Sequence, residues 1–126
     1  VGAYSAPTAL DIDADSDIDI LVLNSMGNIT YLENVGNRSF PKFVSRLGTL
    51  NPFSTIRLAG DAQMSFSAVD IDGDFDIDLV VGAKSPSGQG FRYFQNTGNA
   101  THGKFTERTG NNNPFQGIKW RTCCSV

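Results

Sequence analysis

Ten of the thirteen acidic residues of this chain fall in two nine-residue windows: Asp11, Asp13, Asp15, Asp17 and Asp19, then Asp70, Asp72, Asp74, Asp76 and Asp78. Alternate residues can bring their carboxylates to one side of the backbone. Oxygen donors with no His or Cys among them suit hard cations such as calcium, not zinc or copper. Four carboxylates drawn to about 5 Å of one another repel by roughly 3 kcal/mol per pair at an effective dielectric of about 20. Six such pairs exceed the roughly 5–15 kcal/mol that holds a domain folded. Two divalent ions would carry +4 and bring the formal charge of −3 to +1. A solvated acidic turn is the plain alternative. The recurrence of the cluster in register argues against it.

Other chemistries find little support. A helix-flanked calcium loop wants Gly at its sixth position and Glu at its twelfth. Here Ser16 and Phe75 stand at the sixth, Val22 and Val81 at the twelfth, and the flanks read as strands. His102, the single histidine, sits in a Gly- and Asn-rich turn and reads as an exposed loop residue. There is no Gly-x-Ser-x-Gly elbow, and Gly88-Gln89-Gly90 runs on as Phe-Arg-Tyr rather than as a phosphate loop. No catalytic residues are expected. A sugar-binding surface built on an exposed aromatic, Trp120 or Tyr93, is the rival reading, although such residues more often pack a core or an edge.

The elements that must position the carboxylates repeat with them. Asp11-Ile12-Asp13-Ala14-Asp15-Ser16-Asp17-Ile18-Asp19 returns as Asp70-Ile71-Asp72-Gly73-Asp74-Phe75-Asp76-Ile77-Asp78. An apolar run follows each, Ile20–Leu23 and Leu79–Val81, then an aromatic strand, Ile29–Glu33 and Phe91–Gln95. Asn34-Val35-Gly36-Asn37 is matched by Asn96-Thr97-Gly98-Asn99, and last strands lie around Phe43–Arg46 and Phe105–Arg108. Finally Asn51-Pro52-Phe53 recurs as Asn113-Pro114-Phe115. Short strands between Gly, Asn and Pro turns predict an all-β protein of two four-stranded antiparallel units. The 126 residues make one domain's worth of chain. Its longest aliphatic run, Ile20–Leu23, is far too short to span a membrane. Both apolar runs predict strands covered on both faces, which two stacked units achieve only at their shared interface.

At these residues the sequence resembles the FG-GAP or VCBS repeat, found in the β-propeller of integrin α chains and in secreted adhesive proteins. The resemblance covers nearly the whole chain and rests on the motif D-x-D-x-[DN]-G-x-x-D followed by an apolar strand. It implies one four-stranded propeller blade per repeat, with calcium in the hairpin between the first two strands. The implied ligands are the side chains of Asp11, Asp13, Asp15 and Asp19 with the carbonyl of Asp17. In the second repeat they are Asp70, Asp72, Asp74 and Asp78 with the carbonyl of Asp76. Ser16 and Phe75 depart from the motif where it has Gly. A left-handed backbone there would strain the bulky Phe75.

Three N-x-[ST] sequons, at Asn28, Asn37 and Asn99, predict N-linked glycans, and Asn37 and Asn99 occupy the same turn of the two repeats. Open calcium sites bind at roughly 10⁻⁴–10⁻³ M and so fill outside a cell. Both lines predict a secreted or surface-bound protein. Cys123 and Cys124 are adjacent in the tail, a spacing that offers bonds to another chain rather than an internal framework. The phase of the repeat predicts boundaries at 1–50, a first unit lacking its lead-in strand, 51–112, a second unit, and 113–126, the start of a third. The module is then permuted, and two blades cannot close a propeller, which usually takes about 4–8. Residues 113–126 would therefore complete the first repeat of a neighbouring copy, head to tail in a ring or filament, or else adjoining repeats of a longer propeller would supply the neighbours.

Overall fold

The computed structural model describes residues 5–24, 26–58, 62–85 and 88–118. These form strands β1 (Ser5–Leu10), β2 (Asp19–Asn24), β3 (Ile29–Asn34) and β4 (Phe43–Arg46). The pattern returns as β5 (Ala62–Val69), β6 (Asp78–Ser85), β7 (Gly88–Asn96) and β8 (Phe105–Arg108). Each set of four pairs antiparallel in chain order, giving two four-stranded meanders. The all-β reading with four strands to a repeat therefore holds. Pro7, which has no N–H for a ladder, lies on edge strand β1 opposite Val22.

Polar side chains fix the turns. The Oδ1 of buried Asn34 accepts from the amides of Gly36 (3.0 Å) and Lys42 (2.9 Å), which holds the β3–β4 connection closed. Asn96 does the same for Gly98 and Lys104 at 2.9 and 3.1 Å. Glycine is required beside each Asn on steric grounds. A Cβ on Gly36 would fall 2.8 Å from the Lys42 nitrogen, and one on Gly98 would fall 2.9 Å from that of Lys104.

The two sheets stack face to face on one apolar cluster. From β2, Leu21 and Leu23 enter it, while Ile20 and Val22 remain half-buried. From β6, the opposite set enters: Leu79 and Val81 are fully covered and Val80 is half-buried. The expectation of cover on both faces is thus met on one face of each strand, because among the described residues each sheet has one neighbour. Phe53 fills the joint. Its ring stacks on Phe105 of β8 at 4.5 Å and meets Tyr31 of β3 edge-on at 6.2 Å.

The phase of the repeat needs correction. β1 pairs with β2 from Ser5 to Leu10, so the first unit does have the strand that leads into its carboxylate loop. Asn-Pro-Phe opens no strand; it closes the sheet before it. The Asn51 Nδ2 donates to the Ile29 carbonyl at 3.0 Å, and the Asn113 Nδ2 donates to that of Phe91 at 3.0 Å. Boundaries at 50/51 and 112/113 would cut each closing turn from its own sheet, and the units are not permuted. Residues 119–126, with Trp120, Cys123 and Cys124, lie outside the described part.

Equivalent aromatics should then differ in worth. Phe53 is 1% exposed between two sheets, whereas Phe115 rests half-buried on one. Phe53→Ala should cost about 3–5 kcal/mol, the usual loss for a buried aromatic, and Phe115→Ala less than half as much. Urea titrations of the two variants measure both.

Candidate metal centres

The loops joining β1 to β2 and β5 to β6 are wound by their own carboxylates. Asp11 accepts from the amides of Asp15 (3.2 Å) and Ser16 (3.0 Å), and Asp15 from that of Asp17 (2.8 Å). Asp70 accepts from Gly73 (2.8 Å), Asp74 (3.2 Å) and Phe75 (2.9 Å), and Asp74 from Asp76 (2.9 Å). The residues between reverse the chain with left-handed backbone: Ala14 and Ser16 at φ 65° and 77°, Gly73 and Phe75 at φ 78° and 70°. Phe75 does adopt the conformation that the motif reserves for Gly, and its ring is 89% exposed.

This winding brings carboxylate oxygens together. Asp11, Asp13 and Asp15 lie within 4.8 Å of one another, as do Asp70, Asp72 and Asp78. The donor set is all oxygen, so it fits a hard divalent cation. The two groups are not identical: Asp19 stands outside the first and Asp74 outside the second, and Asp17 and Asp76 belong to neither by their side chains. Asp19 and Asp78 are both fully buried. Asp19 accepts from the Ile12 amide (3.0 Å), the Asn34 amide (2.8 Å) and the Tyr31 hydroxyl (3.4 Å). Asp78 accepts from Ile71 (3.1 Å), Asn96 (2.8 Å) and the Tyr93 hydroxyl (3.2 Å). Burial pushes the Asp19 carboxyl above its ordinary value, and the two amides work against that. Burial and then the neighbouring Asp19 or Asp78 charge raise both tyrosines, so each phenol stays protonated as a donor.

The strands behind the loops set the two centres apart. In the second, the Gln95 Nε2 donates to Asp72 at 2.7 Å while its Oε1 accepts from Arg108 at 2.8 Å. The Gln95 amide holds the Asp72 carboxyl below the usual range. In the first, Glu33 stands at the equivalent place and pairs with Arg46 at 2.6 and 3.1 Å. Asp13 is pushed up to about 6, first by burial, then by the charges of Asp19 and Asp15, with Glu33 adding to them. Glu33, Gln95 and the tyrosine hydroxyls were not singled out from the sequence. Their signal is there in Tyr31-Leu32-Glu33-Asn34 and Tyr93-Phe94-Gln95-Asn96, polar residues repeated inside otherwise apolar strands.

Asp13 and Glu33 also edge a cleft of about 280 Å³ between the sheets, floored by Tyr31 and Phe105 and reached by His102. His102 is exposed, as its turn implied, with Nδ1 3.0 Å from the Thr101 hydroxyl. Tyr93 is 3% exposed with its hydroxyl engaged, so it offers no ring to a sugar. The sequon residues Asn28, Asn37 and Asn99 are all exposed on turns.

Stacked four-stranded meanders, each with a carboxylate loop between its first two strands, define a tandem β-repeat protein of the blade type. Residues 11–81, more than half of the chain, match the FG-GAP-like repeat, and the chain belongs to that family. Comparison with curated proteins and with solved structures gave no match. No helix among the described residues is long and apolar enough to cross a membrane.

The raised Asp13 carboxyl fixes a sign. Its folded value of about 6 lies above an unfolded value of about 3.9. The folded chain therefore takes up that proton first, and in chelator it should gain stability as the pH falls from about 7 to about 4. Thermal melts across that range should show the gain, and Asp13→Asn should remove the Asp13 share of it and leave the part due to the raised Asp19 carboxyl.

Proposed function

We propose that this chain is an extracellular, calcium-stiffened repeat module with a structural or adhesive role, joined head to tail to further copies of itself. The observation that carries the reading is the pair of carboxylate groups, Asp11, Asp13, Asp15 and Asp70, Asp72, Asp78, at equivalent loops of two stacked sheets. Membership of a repeat family known from adhesive proteins supports it. In this reading the side chains of Asp11, Asp13, Asp15 and Asp19, with the carbonyl of Asp17, hold one calcium ion. Asp70, Asp72, Asp74 and Asp78, with the carbonyl of Asp76, hold the other. Bound calcium supplies the positive charge that each cluster of like charges lacks. The loops themselves supply direction, because their own amides already aim the carboxylates.

Open oxygen sites of roughly 10⁻⁴–10⁻³ M affinity fill where free calcium is near millimolar, which is the extracellular condition. N-linked glycans at Asn28, Asn37 and Asn99 agree with that compartment. All three stand on exposed turns, with Asn37 and Asn99 at the same edge position of the two sheets. Cys123 and Cys124 serve in this reading as bonds to a neighbouring chain. The further partners are an extracellular protein or carbohydrate, met through a scaffold that does no catalysis.

With a Kd near 0.1 mM and about 1 mM free calcium, each site contributes about 1.4 kcal/mol to folding. Chelation should lower the melting temperature, and Asp13→Ala or Asp72→Ala should each abolish most of its own site's share. A melting curve that ignores the chelator ends the calcium reading. Peptide mass spectrometry on material from the native source should find glycan at Asn37 and Asn99, and at Asn28. Three bare asparagines would remove the glycoprotein reading.

A further inference from the structure

The inter-sheet joint uses opposite faces of equivalent strands, and each face has a counterpart that no second sheet covers among the described residues. Sheet one offers Leu21 and Leu23; their equivalents on sheet two, Val80 and Gly82, point away from the joint. Sheet two offers Leu79 and Val81, both 0% exposed; their equivalents on sheet one, Ile20 and Val22, point outward and are half-buried. The closing turns agree. Ile56 is 3% exposed inside the joint, while its equivalent Ile118 is 52% exposed. Phe105 stacks on Phe53 within the joint, while its equivalent Phe43 is 42% exposed.

The open face of sheet two keeps the relief of the covered one. Tyr93 stands where Tyr31 does, with its hydroxyl on a buried carboxylate. Where sheet one pairs Leu23 with Ile29, sheet two pairs Gly82 with Phe91. Phe91 lies over that glycine, 3.5 Å from where a Cβ would stand. One large and one absent side chain replace two of middle size, the kind of exchange packed faces tolerate. Phe115 then lies 5.6 Å from Phe91 and 6.3 Å from Tyr93, ready to receive a ring as Phe53 does.

We infer that the open face of sheet two, carrying Phe115 and Ile118, takes the open face of sheet one of a second copy, with Phe115 stacked on that copy's Phe43. The inference rests on the head-to-tail reading above and gives it a surface. The occupant is a second copy because this chain already shows the two faces joined, at Phe53 and Phe105. Such a contact is heterologous, so assembly through it closes as a ring or continues as a filament.

The test uses the full chain in millimolar calcium at about 100 μM, read by sedimentation velocity. Phe43→Glu blocks one face and Phe115→Glu the other. The wild type should sediment as oligomers, and each variant alone should lose them and run as a folded monomer. An equimolar mixture of the two variants should give a 1:1 dimer and nothing larger, because one intact face of each kind remains. If Phe115→Glu unfolds the chain, as circular dichroism would show, Ile118→Glu blocks the same face from a more exposed position. A monomeric wild type overturns head-to-tail assembly altogether. Wild-type oligomers that persist in either variant, or a mixture that stays monomeric, overturn this choice of faces and leave the assembly reading standing.

Discussion

A carboxylate sealed from water must draw its donors from the fold around it, and here one such group in each repeat is met by three. Asp19 and Asp78 have no exposed surface, and burying an ionised carboxylate unpaired would cost more than a domain's stability. Bonds to a charged acceptor are roughly twice as strong as neutral ones. Each bond also comes from a different part of the chain. The Ile12 amide belongs to the loop before β2, the Tyr31 hydroxyl to the middle of β3, and the Asn34 amide to its end. The Asn34 side chain then holds the turn into β4. One carboxylate therefore gathers a loop, two strands and a turn, and Asp78 does the same with Ile71, Tyr93 and Asn96.

The loops are organised from that point outward. Asp carboxylates capping amides two to five residues on hold the backbone in a left-handed form that costs roughly 1–2 kcal/mol at a non-glycine residue. Ala14, Ser16 and Phe75 bear that strain, and no packing compensates Phe75, whose ring is in solvent. Strain kept at an exposed loop with nothing packed over it is commonly found where a site is shaped for function. The two centres then part company through one residue each. Gln95 gives Asp72 a neutral donor, whereas Glu33 adds a charge beside Asp13, partly answered by Arg46. The second centre is arranged by hydrogen bonding; the first is held under electrostatic tension that a cation would relieve.

Much of this was legible in the sequence because the chain states it twice. Repetition in register marks the strands around Ile29–Glu33 and Phe43–Arg46 and their partners, since aromatic and apolar runs and Gly–Asn turns are local signals. The carboxylate loops were legible for the same reason. Two things were not. Repetition alone leaves phase undetermined, so Asn51-Pro52-Phe53 looked like the opening of a unit, and only the bond from Asn51 to Ile29 shows that it closes one. Equal spacing also hid unequal roles among the aspartates. Asp19 and Asp78 differ from their neighbours by burial, which depends on the sheet behind them and leaves no mark on the alternate-residue pattern.

Burial also ties the loops to the joint between sheets. Ile12 gives its amide to Asp19 and its side chain to the inter-sheet core, where it is 9% exposed. A shift of the first loop therefore disturbs the packing, and a shift of the packing disturbs the loop. Ile71 makes the equivalent bond to Asp78, yet its side chain is 37% exposed, because the face it belongs to has no neighbour among the described residues. The second loop is thus anchored from within but uncovered from without. A neighbour stacked on that face would bury Ile71 as Ile12 is buried, and order gained there would reach the carboxylates through Asp78. Coupling of this kind is reciprocal. Whatever factor a cation at Asp70, Asp72 and Asp78 adds to stacking, stacking returns to the affinity for that cation. A cation bound at that loop and a neighbour stacked on that face would then be linked through one buried aspartate, Asp78.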